Sequence, residues 1–555
     1  MRRLRSTLAR LTASSMKAWW LPALVLALLL TALPLRAAEV RVDAAAARAL
    51  QFHSLTEFQA LTGLDSTRVI ALFVSRADGW EVYSRSGADY STAPQSGAPG
   101  LRGGPFGGGH FARDYDGVSD WDSVNVAVKD SFSTAADTMM LVLIFRSKTD
   151  TANNNRLLSN WEYGTGGYHI IGNGADGRFR IDIVYPGGAH SYYSTVDIRD
   201  KAWHVARILL CADTLSIKVD DETPYENSYD GHVLTSPRRL FIAAEAGGGF
   251  SLASDIALVL YYADTPSDAE RDTLYNLLKP HLDGSGPFAA VQPALDYLGA
   301  AGDGDGVPDT VTIAAGIYPA PVVVEVDSVL LRGRVARQGS WSASMTGFPV
   351  LDGVGLAGFS GLSASGVRPL EVRDLGLTGW EKYGVNLAGV TLRAERLLVA
   401  GSGGANLHIS GGLSSDSVTL DHLTLDDSPY GILAEAPDTT AITLANSIIA
   451  GAPDHGILHG GTGKFTVHHA LFWDNGTDWQ GITPGEGILR TNPLFVRREA
   501  GDRRLAATSP ARFASETAGP LGAFGVAGRP GERWGRPPWQ RGRFIPRWSI
   551  AGTGD

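Results

Sequence analysis

In the second half of the chain, short apolar-x-apolar units begin at Leu370, Leu392, Val418, Ile442 and Phe465, spaced 22, 26, 24 and 23 residues apart. A second register runs beside them, a glycine followed by a small apolar residue: Gly384-Val, Gly404-Ala, Gly431-Ile, Gly456-Ile and Gly481-Ile. A unit this short offers two or three strand-sized pieces and cannot bury a core alone, whereas stacked units can. Each stacked coil adds one strand to every parallel sheet, ~4.8 Å from the last, so inward Val, Ile and Leu form continuous ladders. The pattern predicts a parallel solenoid over 287–525. Asp374, Arg396, His422, Asn446 and His469 follow the first strand of each unit and are expected to stack as one polar, structural column.

The first half has a different rhythm. From 106 to 283, period-two strands such as Met139-Met-Leu-Val-Leu-Ile-Phe, Phe179-Arg-Ile-Asp-Ile-Val, Trp203-His-Val-Ala-Arg-Ile-Leu-Leu and Ile256-Ala-Leu-Val-Leu-Tyr-Tyr alternate with turn residues. This spacing predicts a two-sheet sandwich. Ser267-x-x-Glu270 is a capping box for a closing helix with Ala269, Leu274, Leu277 and Leu278 on one face. Residues 39–105 form a small β-rich lead-in, and Asp283-Gly-Ser-Gly-Pro287 is a linker by composition. The fold class is all-β.

Both halves resemble known families. Phe111-Ala-Arg-Asp-Tyr-Asp-Gly-Val-Ser-Asp-Trp, the Trp203 to Glu222 hairpin and Asp255-Ile-Ala-Leu-Val-Leu-Tyr-Tyr-Ala resemble laminin-G-like, concanavalin A-like jelly rolls. That resemblance implies a sandwich that binds glycans or proteins, sometimes through calcium; the usual Asp-Gly of the hairpin is Asp220-Asp221 in this chain. The repeats, with Asp309-Thr-Val-Thr-Ile-Ala-Ala-Gly-Ile-Tyr-Pro as a first coil and Asn492-Pro-Leu-Phe-Val to Leu521-Gly-Ala-Phe as a final one, resemble right-handed parallel β-helix proteins of the pectate-lyase-like superfamily. That resemblance implies a groove along one sheet in which a sugar polymer lies.

Composition and charge narrow the setting. Hydrophobic residues make up 44% and charged residues 19%, which excludes a mainly disordered chain. Glycine is in excess, 67 of 555 residues against a usual ~7%, as many tight turns require. Residues 1–38 carry six basic groups and no acid, and 529–555 carry six arginines against two acids. With −10 overall, the body between them holds −20, which repels phosphate and argues against nucleic-acid binding. Basic residues ahead of Trp19-Trp-Leu-Pro-Ala-Leu-Val-Leu-Ala-Leu-Leu-Leu, with Ala37 and Ala38 after it, read as a signal peptide over 1–38. A monomer exported to the periplasm, cell surface or medium is expected, with no transmembrane segment after cleavage. Residues 526–555 read as a flexible Arg/Pro/Trp-rich tail. Cys211 is the one cysteine, so no intramolecular disulfide forms, and a buried structural thiol is expected.

Candidate chemistry gathers in adjacent repeats. Asp426, Asp427 and His455 are the candidate catalytic residues, and Tyr430, Asp454, His459, Trp479 and Gln480 the candidate substrate contacts, with Asp474 and Asp478 close by. Tyr430, His455 and Gln480 are expected to share one column before the repeat glycine. Aromatic faces stack on sugar rings while His and Asp bond hydroxyls, and hydrolysis needs two carboxyls ~5–9.5 Å apart. The Asp-Asp and His-Gly pairs resemble family-28 polygalacturonases, whose Asn-x-Asp and Arg-Ile-Lys are missing from this chain. The expected function is binding of an extracellular polysaccharide or surface glycan; the alternative is a polysaccharide lyase or glycoside hydrolase with the sandwich as a carbohydrate-binding module. Asp303, Asp305 and Asp309 are spaced like the start of a calcium loop, which makes calcium the one cofactor the residues suggest.

Overall fold

The structure is a computed structural model. It describes residues 38–524 except 85–90, 97–98, 117, 119, 125–138, 149–154, 161–166, 174–176, 186–187, 211–213, 229–238, 245–252, 264–265, 302–307, 335–347, 368, 412–416 and 436–439. Residues 1–37 of the expected signal peptide, the tail expected over 526–555, Cys211, Asp303 and Asp305 lie outside the described residues.

Two antiparallel sheets fill the first half. In one, Met139–Ser147 lies between Trp203–Leu210 and Ala253–Ala263, with Val69–Arg76 and Gly79–Tyr83 beyond. In the other, Gly167–Asn173 pairs with Arg178–Tyr185 and Asn155–Ser159. Alternate side chains of a strand leave on opposite faces. Leu141, Leu143 and Phe145 therefore meet Ile170, Ile181 and Ile183 of the opposing sheet. Met140, Val142 and Ile144 pack with Phe58, Leu274 and Leu278 of two helices on the outside. A strand covered on both faces is apolar where no partner awaits a charge: all of Met139–Ser147 is buried, and the residues from Met139 to Phe145 are all apolar.

The second half is a parallel β-solenoid of about six turns. Its register joins Leu370 to Leu392, Leu392 to Val418, Val418 to Ile442 and Ile442 to Phe465, as the spacing predicted. The bend residues Asp374, Arg396, His422, Asn446 and His469 all take left-handed backbone, with φ between 48° and 56°. The chain turns at the same point of every coil, and axial bonds follow: Arg396 holds the Asp374 carboxylate at 2.6 and 2.8 Å, and Asn446 donates to Asp421 at 2.8 Å.

The glycine register holds in part. Tyr430 pairs with His455, so Gly431 and Gly456 do coincide. Ala405, however, pairs with Tyr383 and with Tyr430, which sets Asn406 in the row of Gly384 and Gly431 and leaves Gly404 outside it. Gly481 also falls outside, because His455 pairs with Thr477. The row sits at a tight corner. A Cβ at Gly384 would come 2.1 Å from Val399, and one at Gly431 2.6 Å from Ile449.

Residues 39–105 contribute strands to both halves. Glu39–Val42 pairs in parallel with Asp309–Ile313 on the first coil, whereas Val69–Tyr83 belongs to the antiparallel sheet. Helix Val291–Ala301 plugs the first coil with Val291, Ala294, Leu295 and Leu298. Between the halves lies a buried ionic knot. Asp296 accepts from Arg102 at 2.8 Å, Trp203 at 3.0 Å and Gln292 at 3.0 Å, and Arg146 reaches it at 2.5 Å.

The end of the chain does not continue the stack. Phe495–Arg497 pairs antiparallel with Asp502–Leu505, and the chain then runs back over an outward apolar column. Leu505, Ala511 and Leu521 cover Ile448, Ala450 and Leu471; Ala523 and Phe524 cover Phe348, Val350, Leu398 and Ala400. The coil expected over 492–524 is thus a strap along the outside.

Candidate functional site

Each coil turns from its long strand into the second sheet through a short connection. Thr378, Ala400, Asp426, Ala450 and Trp473 end those strands in register. The next residues, Gly379, Gly401, Asp427, Gly451 and Asp474, all take left-handed backbone, with φ between 55° and 70°. Glycine adopts this region freely and aspartate tolerates it, which explains the residue types at this corner. Backbone bonds tie the column together, as from Asp427 to Ala450 at 3.2 Å and from Gly451 to Trp473 at 3.0 Å.

Asp426 and Asp427 adjoin in sequence and part in space. Asp426 is fully buried. Arg498 grips its carboxylate at 2.7 and 3.0 Å, and Arg503 donates to its second oxygen at 2.8 Å. This carboxylate anchors the strap and has no edge free for a substrate, so the expected catalytic place for Asp426 is structural instead. Gly451 makes the grip possible, since a Cβ there would lie 1.9 Å from the Arg498 guanidinium. Arg498 also crosses the Trp473 ring at 4.9 Å and reaches Asp474 at 3.4 Å. Burial works against its charge, but the bonds to Asp426 and Asp474 outweigh that and raise its pKa above the ordinary guanidinium value.

Asp427 is exposed and opens onto a recess of about 570 Å³. Gly451, Pro453, Asp474, Asn475, Gly476, Arg498, Glu499 and Arg503 complete the lining. Asn475 is fixed on three sides: it accepts from Ala452 N–H at 3.0 Å and donates to the Ile449 carbonyl at 3.2 Å and to Asp478 at 3.3 Å. The lining is polar, with three carboxylates and two arginines around an open mouth.

Past the corner, the coils enter the second sheet with Tyr430, His455 and Thr477 in one row. The half-buried rings of Tyr430 and His455 stack nearly parallel, 6° apart in tilt and 5.8 Å between centres. Gln480 does not share their row, because it pairs with Leu458; its side chain still meets His455 Nε2 at 2.9 Å, a diagonal contact. Two coils further back, Tyr383 and His408 stack at 4.3 Å, and His408 also bonds Asn386 at 2.8 Å.

The remaining candidates separate by role. Asp454 is exposed at the turn. His459 is buried, with Nδ1 at 3.3 Å from the Gly481 carbonyl and its ring edge-on to Phe465. Trp479 continues the inward row of Ile432 and Ile457, packs on Phe472 and lies under Arg490 at 4.4 Å. It closes the end of the core and stays half-buried there. Asp309 bonds the Ala38 N–H at 2.8 Å. Among the described residues, no three of His, Cys, Asp and Glu gather as a metal site. Likewise no helix among them is long and apolar enough to cross a membrane.

Sequence reasoning missed Asn475, Arg498, Glu499 and Arg503. The last three belong to the strap, which carries no repeat, so spacing says nothing about where it lands. The available signal was chemical: Arg497, Arg498, Arg503 and Arg504 form a basic run that needs carboxylates near the last coil.

No family model matches this chain, and no curated protein does. Among solved structures, it is similar to the binding domain of Paraclostridial Mosquitocidal Protein 1, at 12% identity and a TM-score of 0.32. It is also similar to the binding domain of Botulinum neurotoxin DC, solved in complex with rat synaptotagmin II (12% identity, TM-score 0.30) and with SialylT (11%, 0.29). Each match covers 38% of this chain and 52% of the other, so this chain spans about half the length of those structures. At such TM-scores the likeness carries no argument about fold or function.

Proposed function

We propose that the protein is an exported glycan-binding protein that holds a hydroxyl-rich ligand at the solenoid corner formed by residues 427–430, 451–455 and 474–480. The observation that carries this reading is the recess beside Asp427, Asp474 and Asn475, which is polar, open and next to the stacked Tyr430–His455 pair. Fixed carboxylates and amides suit hydroxyl donors, and a held aromatic face suits the apolar side of a sugar ring. Charge selects further. Both arginines are already bound to buried Asp426, whereas Asp427, Asp474 and Glu499 open on the recess. A neutral or amine-bearing sugar fits this balance, and a uronate is repelled.

The same proposal takes the sandwich as a laminin-G/concanavalin A-like jelly roll and the solenoid as a right-handed helix of the pectate-lyase-like kind. It takes the protein as a monomer released by signal cleavage. A panel of neutral, amino and acidic polysaccharides, scored for binding, for reducing ends and for ultraviolet-absorbing products, tests it. Binding of neutral or amino glycans without turnover is expected. Product formation abolished by Asp427→Ala would establish a lyase or hydrolase instead.

A further inference from the structure

The Ala38 backbone nitrogen donates to the Asp309 carboxylate at 2.8 Å, and Thr310 N–H returns a bond to the Ala38 carbonyl at 2.8 Å. The following residues run on as the parallel strand Glu39–Val42 against Asp309–Ile313, with Val40 and Val42 buried in the solenoid core. Ala38 therefore enters the first rung in a fixed position, with a carboxylate waiting at its nitrogen. An ammonium in place of the amide would add the attraction of a full positive charge to that bond.

The sequence just ahead supplies a way to charge that nitrogen. Signal peptides end in small residues at the last and third-last removed positions. A cut after Ala38 would put charged Arg36 at the third-last position, whereas a cut after Ala37 keeps a small residue last and puts Leu35 there, which is larger than the pattern asks but carries no charge.

We infer that processing falls between Ala37 and Ala38, one residue before the boundary expected from the sequence, and that the new α-ammonium docks on Asp309 to close the first rung as an ion pair. In the cleavage, water adds across the amide: the C–N bond breaks, the water oxygen stays on Ala37, which leaves as a carboxylate, and both water protons end on the Ala38 nitrogen as the ammonium. The inference rests on the export reading above. Other titratable groups at this edge are Glu39 and Arg41 on the strand, Asp327 before the next rung, and Asp296 and Tyr297 on the helix packed against it. Glu39 accepts from Thr312 at 3.0 Å, and Asp296 is held by Arg102 and Arg146. Asp309 is the acid bonded to the Ala38 nitrogen.

The test is N-terminal sequencing of the full-length chain after export from a bacterial host, followed by melting of wild type and Asp309→Asn between pH 6 and 9.5. A start at Ala38 is expected. A start at Glu39 or elsewhere overturns the docking and leaves the signal standing; an uncut chain overturns the signal reading itself. The α-amine ordinarily titrates at about 7.7–8.0. Pairing raises it, so the stabilisation is complete below that range and is lost as pH rises through the raised value. Wild type should melt about 2 °C above Asp309→Asn at pH 6, and the gap should close by pH 9.5. A form expressed without export keeps an amide at Ala38 and should show a gap that does not change with pH. A constant gap in the exported protein as well would overturn the ion pair.

Discussion

Arg102 and Asp296 meet at 2.8 Å inside the protein, although 194 positions separate them in the chain. Arg102 comes from a strand of the antiparallel half and Asp296 from the helix that plugs the solenoid. Their contact, shared with Arg146 and Trp203, ties the two halves together. Burial alone would raise the Asp296 pKa, but the two guanidiniums hold it below the usual carboxylate value.

Removing one member of this knot strands the others in a dry site. Asp296→Asn should therefore cost about 3–5 kcal/mol in urea unfolding, and Arg102→Met a similar amount. The double variant should lose less than the sum of the two, because neither leaves an unpaired partner for the other.

His204 provides a pH dependence. Its ring is buried, which disfavours charge, but Asp200 at 3.0 Å and Asp220 at 2.7 Å outweigh that and raise its pKa to about 9. The folded value lies above the ordinary ~6.5, so the stabilisation is complete below pH 6.5 and disappears as pH rises through 9. His204→Gln should lose about 2 kcal/mol relative to wild type at pH 6 and little at pH 10. Paired melts at the two pH values check this.

Two glycines with the same backbone separate strain from space. Gly401 and Gly451 have φ of 70° and 64°, yet a Cβ meets nothing nearer than 3.6 Å at Gly401 and collides with Arg498 at Gly451. Gly401→Ala should cost about 1 kcal/mol. Gly451→Ala should cost roughly 2–3 kcal/mol more, since it parts Arg498 from buried Asp426. Limited trypsin digestion should then cut at Arg498 and Arg503 in Gly451→Ala and spare them in Gly401→Ala.

Asn446 holds the strap by a different contact. Its side chain accepts from Glu516 N–H at 2.8 Å while donating to Asp421, and its carbonyl accepts from Gly522 N–H at 2.8 Å. Asn446→Gly keeps the backbone turn but loses both side-chain bonds. A loss of about 1–2 kcal/mol is expected, with faster amide exchange at Glu516 and protection retained at Gly522.

The parts of the fold that repeat were legible. Leu370 to Phe465 stack because each burial-competent unit recurs at coil length, and Asp374 to His469 stack because the same bend recurs with them. Ser267 and Glu270 form their capping box because that signal is local. Pairings that depend on distance were not legible. Glu39–Val42 joins a strand 271 positions away, and Arg498 reaches Asp426 across 72, with no period to link either pair. Spacing placed Asp426 and Asp427 in one cluster; the turn between strand end and left-handed corner leaves one buried beneath the strap and sends the other to the recess.

The central claim is that the corner beside the Tyr430–His455 pair is a ligand surface for neutral or amine-bearing glycans. Calorimetric titration of wild type, Asp427→Ala and Tyr430→Ala with a glycan selected from the panel, beside a uronan of equal length, tests it most directly. Micromolar-to-millimolar binding that weakens at least tenfold in both variants, with no heat from the uronan, is the predicted result. Equal affinity in all three proteins, or preference for the uronan, would contradict it.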